Sequence, residues 1–417
     1  MYLVTLLGVA LATTGVVAAE AESRDARSVV IDTLPITSNF RLPDDGLTLP
    51  QRDRARIRAL FARSKGEGDV SKREDVSVKN TAIHYTMKVG VGSPPTFWIR
   101  DVDDLLLDSG SGYTWLGAGK KFVKTKTAHK QKQGFYAAYA SGSAVGDNYK
   151  DLVTLSPTLS ISNKSIGIAT STNAISGFDG ILGLGPAALS NVLTPSTGKP
   201  VPTIMDALFA QKKIAENIFG LSFAPTKSEG EMNGVITFGG TNSGKYTGTL
   251  NWVDVTKQES FSSFWGYEQS IKYGNKTLQK TAAGVVDTGT TLVYITPKAF
   301  KVYSDSLPGS KTDDKTGLLE IPKESVGKMK SLFYIINGVS YEFTPNAQLW
   351  PRALNTALGG KADAYYSVVG ALSDFEADTG SSFINGYVFL ERFYTAYDQS
   401  KRRIGFATTP ATYSNVN

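Results

Sequence analysis

The chain has no cysteine and only two histidines, His84 and His129. Without a thiol it forms no disulfide, no thiolate metal site and no cysteine nucleophile. Two histidines cannot build a multi-histidine metal centre, and they leave few candidates for a Ser-His-Asp triad. Neither has a supporting motif: "AIHYT" around His84 reads as a strand, and "TAHKQK" around His129 reads as a solvated loop. An excess of one charge is also missing, since 44 Lys and Arg against 38 Asp and Glu leave a mild +6. The densest basic cluster, "KKFVKTKTAHKQK" from Lys120 to Lys132, lacks the interleaved aromatics of a nucleic-acid surface. A solvated loop is the better reading.

Only the opening stretch is a long apolar run. "MYLVTLLGVALATTGVVAAEA" ends in small residues and reads as a secretory signal over residues 1–21. Because no Lys or Arg precedes it, a membrane anchor is the competing reading. Secretion without disulfides leaves stability to the core alone, which 417 residues with 41% apolar content can supply. The 41 glycines, the frequent Tyr, Phe and Thr, and short alternating runs such as "GVITFGG" favour β-structure.

Residues 22–73 differ in character from the strand-rich body of the chain. "QRDRARIRALFARSKGEGDVSKR" carries Ile57, Leu60 and Phe61 at helical spacing, then a glycine breaker, then the pair Lys72-Arg73. In a secreted chain this reads as a propeptide with its processing site, the mature chain starting near Glu74. The body divides near Lys245, giving halves over residues 74–245 and 246–417. Asn163 and Asn275 open N-glycosylation sequons, as expected of an exposed secreted surface.

Two stretches carry the chemistry. "LLLDSGSGYTWLG" and "AAGVVDTGTTLVYI" each run from small or apolar residues into Asp, a hydroxyl residue, Gly and another hydroxyl residue. One copy is weak evidence, but two suggest similar halves that each contribute one carboxylate, Asp108 and Asp287.

Co-linear segments extend the pattern: "KVGVGSP", "YTWLGA", "GFDGILGLGP", "GKYTG", "NAQLWPRALNTALGG" and "FINGYVFLERFYTAYD". Over nearly all of residues 76–412 the sequence resembles the pepsin-like aspartic proteases, in particular the disulfide-free polyporopepsin type of basidiomycete fungi. The resemblance implies an all-β, bilobal fold with two pseudo-symmetric lobes and a central cleft. It implies a catalytic pair, Asp108 and Asp287, supported by Ser109, Gly110, Ser111, Thr288, Gly289 and Thr290. Tyr139 matches the tyrosine of a mobile flap, with Ser141 beside it. Trp115 matches the tryptophan that bonds this tyrosine, and Phe178 and Thr291 match walls of the substrate cleft. Protein or peptide substrates are implied, with no cofactor, no metal, no nucleic acid and no stable membrane association. A secreted monomer is expected, with a vacuolar location the lesser alternative.

Two carboxyls sharing one water can hydrolyse an amide without Ser, Cys or metal. Like charges about 3 Å apart cannot both ionise, so one carboxylate acts as base on the water while its protonated partner polarises the carbonyl. The implied specificity is for bulky apolar residues at acidic pH, in an enzyme made as a zymogen. Its Arg-rich helix is expected across the cleft, with a cation such as Lys65 near the dyad.

Three departures from the family pattern stand out. Pro94 to Asp108 is longer than usual, and the charged residues Asp101, Asp103 and Asp104 predict a solvent-exposed loop over about Thr96 to Asp104. Ala140 replaces a flap glycine, and Tyr387 replaces an Asp at a position expected to be structural. Singly, either Asp reads as a turn residue, Trp115 and Phe178 as core, and Tyr139 as a strand residue. The competing function is a pepsin-fold binding or inhibitor protein that has lost catalysis. Such proteins usually lack an Asp, a flanking Gly or the flap Tyr, and all of these are present here.

Overall fold

The computed structural model describes residues 31–39, 46–64, 84–93, 103–139, 142–173, 175, 177–194, 199–226, 228, 231–373 and 382–416. The expected signal segment, Lys65, Lys72-Arg73, Glu74, Ala140 and Ser141 lie outside these residues, as do positions 94–102 of the expected loop.

Each half builds the same local motif around its aspartate. Strand Asp103–Asp108 lies antiparallel to His84–Val91 and parallel to Gly180–Gly183, with Asp108 opposite Gly183 at its end. In the second half Lys276–Val286 runs parallel to Phe383–Asn385, and the Asp287 N–H donates to the Asn385 carbonyl at 3.1 Å. Strands paired on both edges and covered on both faces need apolar residues at consecutive positions. That requirement explains why Leu105–Leu107 and Val285–Val286, all buried, lead straight into the two carboxylates.

The strands form an all-β, two-lobed molecule with one 14-stranded, one seven-stranded and one three-stranded sheet among the described residues. In the largest sheet the first strand, Asp32–Asn39, stands between Gly234–Phe238 and His84–Val91. It changes partner midway: Asp32 to Ile36 pair with Gly234–Phe238, and Thr37 to Asn39 pair with Thr86, Tyr85 and His84. The missing N–H of Pro35 is tolerated because only one of its edges is laddered.

The sequence expectation fails at two places. Asp103 and Asp104 are strand residues, not part of an extruded loop. Asp104 is laddered opposite Lys88, whose Nζ reaches its carboxylate at 3.2 Å, and the Asp104 N–H donates to Asp179 Oδ2 at 2.9 Å. A cross-strand cation and a ladder partner make the acidic residue compatible with pairing. His129 likewise opens the strand His129–Tyr139 instead of lying in a loop.

Buried polar contacts tie the lobes together. Glu391 accepts from Thr226 N at 3.1 Å, Thr226 Oγ1 at 2.6 Å and Tyr85 Oη at 3.2 Å. Burial pushes its carboxyl up to about 7 from an ordinary 4.5, the Thr226 bonds and Arg392 offsetting only part of that cost. A carboxyl with a raised folded pKa leaves stability intact below about pH 4.5 and removes it as pH rises through about 7, by roughly 3 kcal/mol when complete. Glu391→Gln is expected to flatten this fall. Melting temperatures at pH 4.5 and 8 should converge in the variant relative to wild type, and an unchanged gap would remove Glu391 as the cause.

Candidate active site

The helix Leu49–Ser64 crosses between the two aspartates. Its start is set by Thr48, whose N–H donates to Gln51 Oε1 at 2.8 Å in the Thr-x-x-Gln arrangement of a capping box, while Arg52 N–H donates to the Thr48 carbonyl. Leu49, Arg52, Asp53, Arg56, Ile57, Leu60 and Phe61 are all buried. At spacings of three and four they form one stripe facing the protein. Its lower part is apolar, with Phe61 edge-on to Phe261 at 5.5 Å. Its upper part is charged.

Arg56 occupies the centre. Its Nε donates to Asp287 Oδ2 at 2.7 Å, and its Nη2 reaches Asp287 Oδ1 at 2.9 Å and Asp108 Oδ1 at 2.5 Å. The planar guanidinium thus grips Asp287 with two donors and touches Asp108 with one of them. Burial alone would disfavour the Arg56 charge, but Asp108 and then Asp287 more than offset this and hold it protonated. Burial alone would also raise the Asp287 carboxyl, yet the Arg56 charge beside it holds it below the usual range. The cation seen at the dyad is Arg56, while the expected Lys65 lies outside the described residues. Gly110 and Gly289 permit this approach: a Cβ on Gly289 would strike the guanidinium, and one on Gly110 would lie 2.8 Å from Nη2.

Each carboxylate has a matching cradle. Ser111 Oγ donates to Asp108 Oδ2 at 2.6 Å and Gly110 N–H to Oδ1 at 2.9 Å. Thr290 Oγ1 donates to Asp287 Oδ2 at 2.6 Å and Gly289 N–H to Oδ1 at 3.2 Å. The two loops also lock reciprocally: Ser109 N–H donates to Thr288 Oγ1 and Thr288 N–H to Ser109 Oγ, both at 2.9 Å, while Thr288 Oγ1 donates to the Leu107 carbonyl at 2.8 Å. Ser109 therefore supplies its side of the crossing bond through the smaller of the two hydroxyl side chains. Because Thr288 uses its hydroxyl twice, Thr288→Val is expected to cost about 2–4 kcal/mol and Ser109→Ala about 1–2 kcal/mol. Denaturant titration of the two variants reads the order, and equal costs would contradict this account.

The other expected site residues fall around this centre. Trp115 Nε1 donates to Tyr139 Oη at 2.7 Å, at the end of the hairpin His129–Tyr139 and Gly142–Ser156. Phe178 is buried in the same apolar cluster as Trp115, with its ring 5.3 Å from His84. Asn163 and Asn275 lie on the surface. Thr291 is engaged by the helix: its N–H donates to Asp53 Oδ1 at 3.1 Å, while Leu292 N–H and Tyr294 Oη reach Oδ2 at 2.9 and 3.2 Å. Burial pushes the Asp53 carboxyl up to about 6 despite these three donors. Arg56 and Asp53 were not singled out by the sequence reading. The available signal was the continuation of the Ile57, Leu60, Phe61 stripe at helical spacing by charged residues, which marks a face buried against charge.

Comparison with known proteins agrees with this geometry. Residues 84–409 match the family described as eukaryotic aspartyl protease. Polyporopepsin from Irpex lacteus is 44% identical over 344 residues, covering 82% of this chain and 99% of the relative. Mouse cathepsin D is 28% identical over 353 residues, covering 78% of this chain and 80% of the relative. The crystal structure of aspartic proteinase from Irpex lacteus superposes with a TM-score of 0.78 at 38% identity, covering 93% of this chain and 100% of that one. With two aspartates in matching cradles facing each other across a pepsin-like cleft, the chain belongs to the eukaryotic aspartyl proteases and is an aspartic endopeptidase.

Proposed function

We propose that the protein is a secreted, acid-active endopeptidase synthesised as a latent precursor, in which residues 22–73 hold the cleft closed. The observation that carries this reading is the Arg56 guanidinium lodged between Asp108 and Asp287. Its Nη2 occupies the point within hydrogen-bond reach of both Oδ1 atoms, which is where a nucleophilic water would sit once the helix leaves. With that water bound, one ionised carboxylate takes its proton while the protonated partner donates to the scissile carbonyl oxygen. The water oxygen bonds to the carbonyl carbon, and as the tetrahedral intermediate loses its C–N bond the carboxyl that took the water proton passes it to the leaving nitrogen while the other carboxylate recovers a proton from the gem-diol. Ser111 and Thr290 hold the outer oxygens, so the inner ones face the reaction. Phe178, Trp115 and the Tyr139 flap supply an apolar wall, which supports cleavage beside bulky apolar residues.

Processing after Lys72-Arg73, a mature chain from Glu74, a signal over residues 1–21 and glycans on Asn163 and Asn275 belong to the same proposal. Among the described residues no helix is long and apolar enough to cross a membrane. The test is incubation of the purified full chain with a denatured protein substrate across acidic to neutral pH, with and without pepstatin. Pepstatin-sensitive cleavage that appears only after acid exposure, together with loss of the N-terminal segment, supports the reading. Full activity of the intact chain at neutral pH would overturn latency.

A further inference from the structure

The basic segment from Lys120 to Lys132 is a built surface and not a loose loop. Lys120 pairs with Asp179 at 3.1 Å, and Phe122 packs its ring 5.2 Å from Tyr149. Thr125 Oγ1 accepts from Ser93 N at 3.3 Å, and Thr127 Oγ1 donates to the buried Asp151 at 2.6 Å. Anchors therefore fall at positions 120, 122, 125 and 127. Between them Lys121, Lys124 and Lys126 are turned out and exposed, and Lys132 follows on the adjoining strand. Among the described residues none of these four lysines has a carboxylate within ion-pair distance, whereas Lys130 is paired with Asp147 at 2.7 Å.

We infer that this surface binds an acidic polysaccharide, a chain carrying regularly spaced carboxylate or sulfate groups. Three exposed lysines within six residues, without an ion pair among the described residues, present a charged row that a flexible polyanion can follow at low entropic cost. Other anionic partners fit less well. A single-stranded nucleic acid needs exposed aromatic platforms, and the aromatic ring within the anchored loop, Phe122, is half-buried against Tyr149. A membrane needs an apolar face to insert, and Val123, 74% exposed, stands alone in the segment. The strand His129–Tyr139 follows the row and runs 11 residues, so its first residue stands about 30 Å from the flap tyrosine. Binding at that end would tether the enzyme away from the flap tyrosine.

The experiment measures binding of the full chain to immobilised polygalacturonate at neutral pH and rising salt. Wild type is expected to be retained and to elute with salt. The variant K121E/K124E/K126E is expected to bind roughly 100-fold more weakly. The control K298E/K323E/K328E changes net charge equally and should bind like wild type. After acid activation, both variants should cleave a short peptide at the wild-type rate, which shows that they fold. Equal binding by the loop variant and wild type would overturn the inference. So would equal loss in the control, equal binding to uncharged dextran, or tighter binding to single-stranded DNA or to anionic vesicles.

Discussion

Asp108→Asn and Asp287→Asn, each in the processed enzyme, are expected to lower kcat by at least about 10⁴-fold while KM changes little. A single neutral amide removes either the base that takes the proton from water or the acid that polarises the carbonyl. Among the described residues no other ionisable group contacts the inner oxygens except the departing Arg56. The fold should survive. An amide oxygen can still accept from Gly110 or Gly289, so the cost is confined to the cradle hydroxyls. A second readout separates chemistry from architecture: in the unprocessed chain the same variants should loosen the helix, because Arg56 loses part of its countercharge. Turnover above a few per cent of wild type in either variant would defeat the assignment.

Arg56→Met is expected to abolish latency. Without the guanidinium, the docked helix would bury two carboxylates with no countercharge, a loss of several kcal/mol for a buried charge network. The unprocessed variant should therefore cleave peptide at mildly acidic pH, where the wild-type precursor remains silent, and limited proteolysis should cut its helix. The sign of the pH dependence identifies the trigger. Asp287 is depressed by Arg56, so its contribution to docking is present above the ordinary carboxyl pKa and is lost as pH falls through the depressed value. Asp53 runs the other way. Its carboxyl is raised to about 6 by burial, so it opposes docking most above that pH and less as acid is added. Acid release is therefore driven from the dyad. Asp53 fixes the register of the helix by capturing the Thr291 and Leu292 N–H groups. A precursor with Arg56→Met that stayed silent at mildly acidic pH, as the wild-type precursor does, would refute this division of labour.

The dyad could be read from the sequence because each aspartate ends a strand buried on both faces, and such strands leave uninterrupted apolar runs in the chain. The resemblance placed Ser109 and Thr288 beside the dyad, but their reciprocal bonds join loops 179 positions apart and became visible only in the fold. Arg56 was not legible either. Its partners lie 52 and 231 positions away, and the helical stripe takes in Arg52 as well as Arg56 without showing which of them reaches the dyad. Asp103 and Asp104 misled because strand propensity treats acidic residues as breakers, whereas Lys88 across the ladder makes Asp104 acceptable. Asp32–Asn39, with its proline and many polar residues, has no strand pattern of its own. It becomes a strand because two neighbouring edges offer it hydrogen bonds.

That first strand alters what cutting the chain accomplishes. A break after Arg73 would sever one covalent link, but five residue pairs to Gly234–Phe238, three to His84–Thr86 and the docked helix would all remain. The cleaved segment would then be a second polypeptide bound to the enzyme. Its hold would depend on concentration, and it could return after leaving. Protease action alone would give a nicked but silent complex, and dilution or acid would complete the activation. Released fragment added back at neutral pH would silence the mature enzyme in trans.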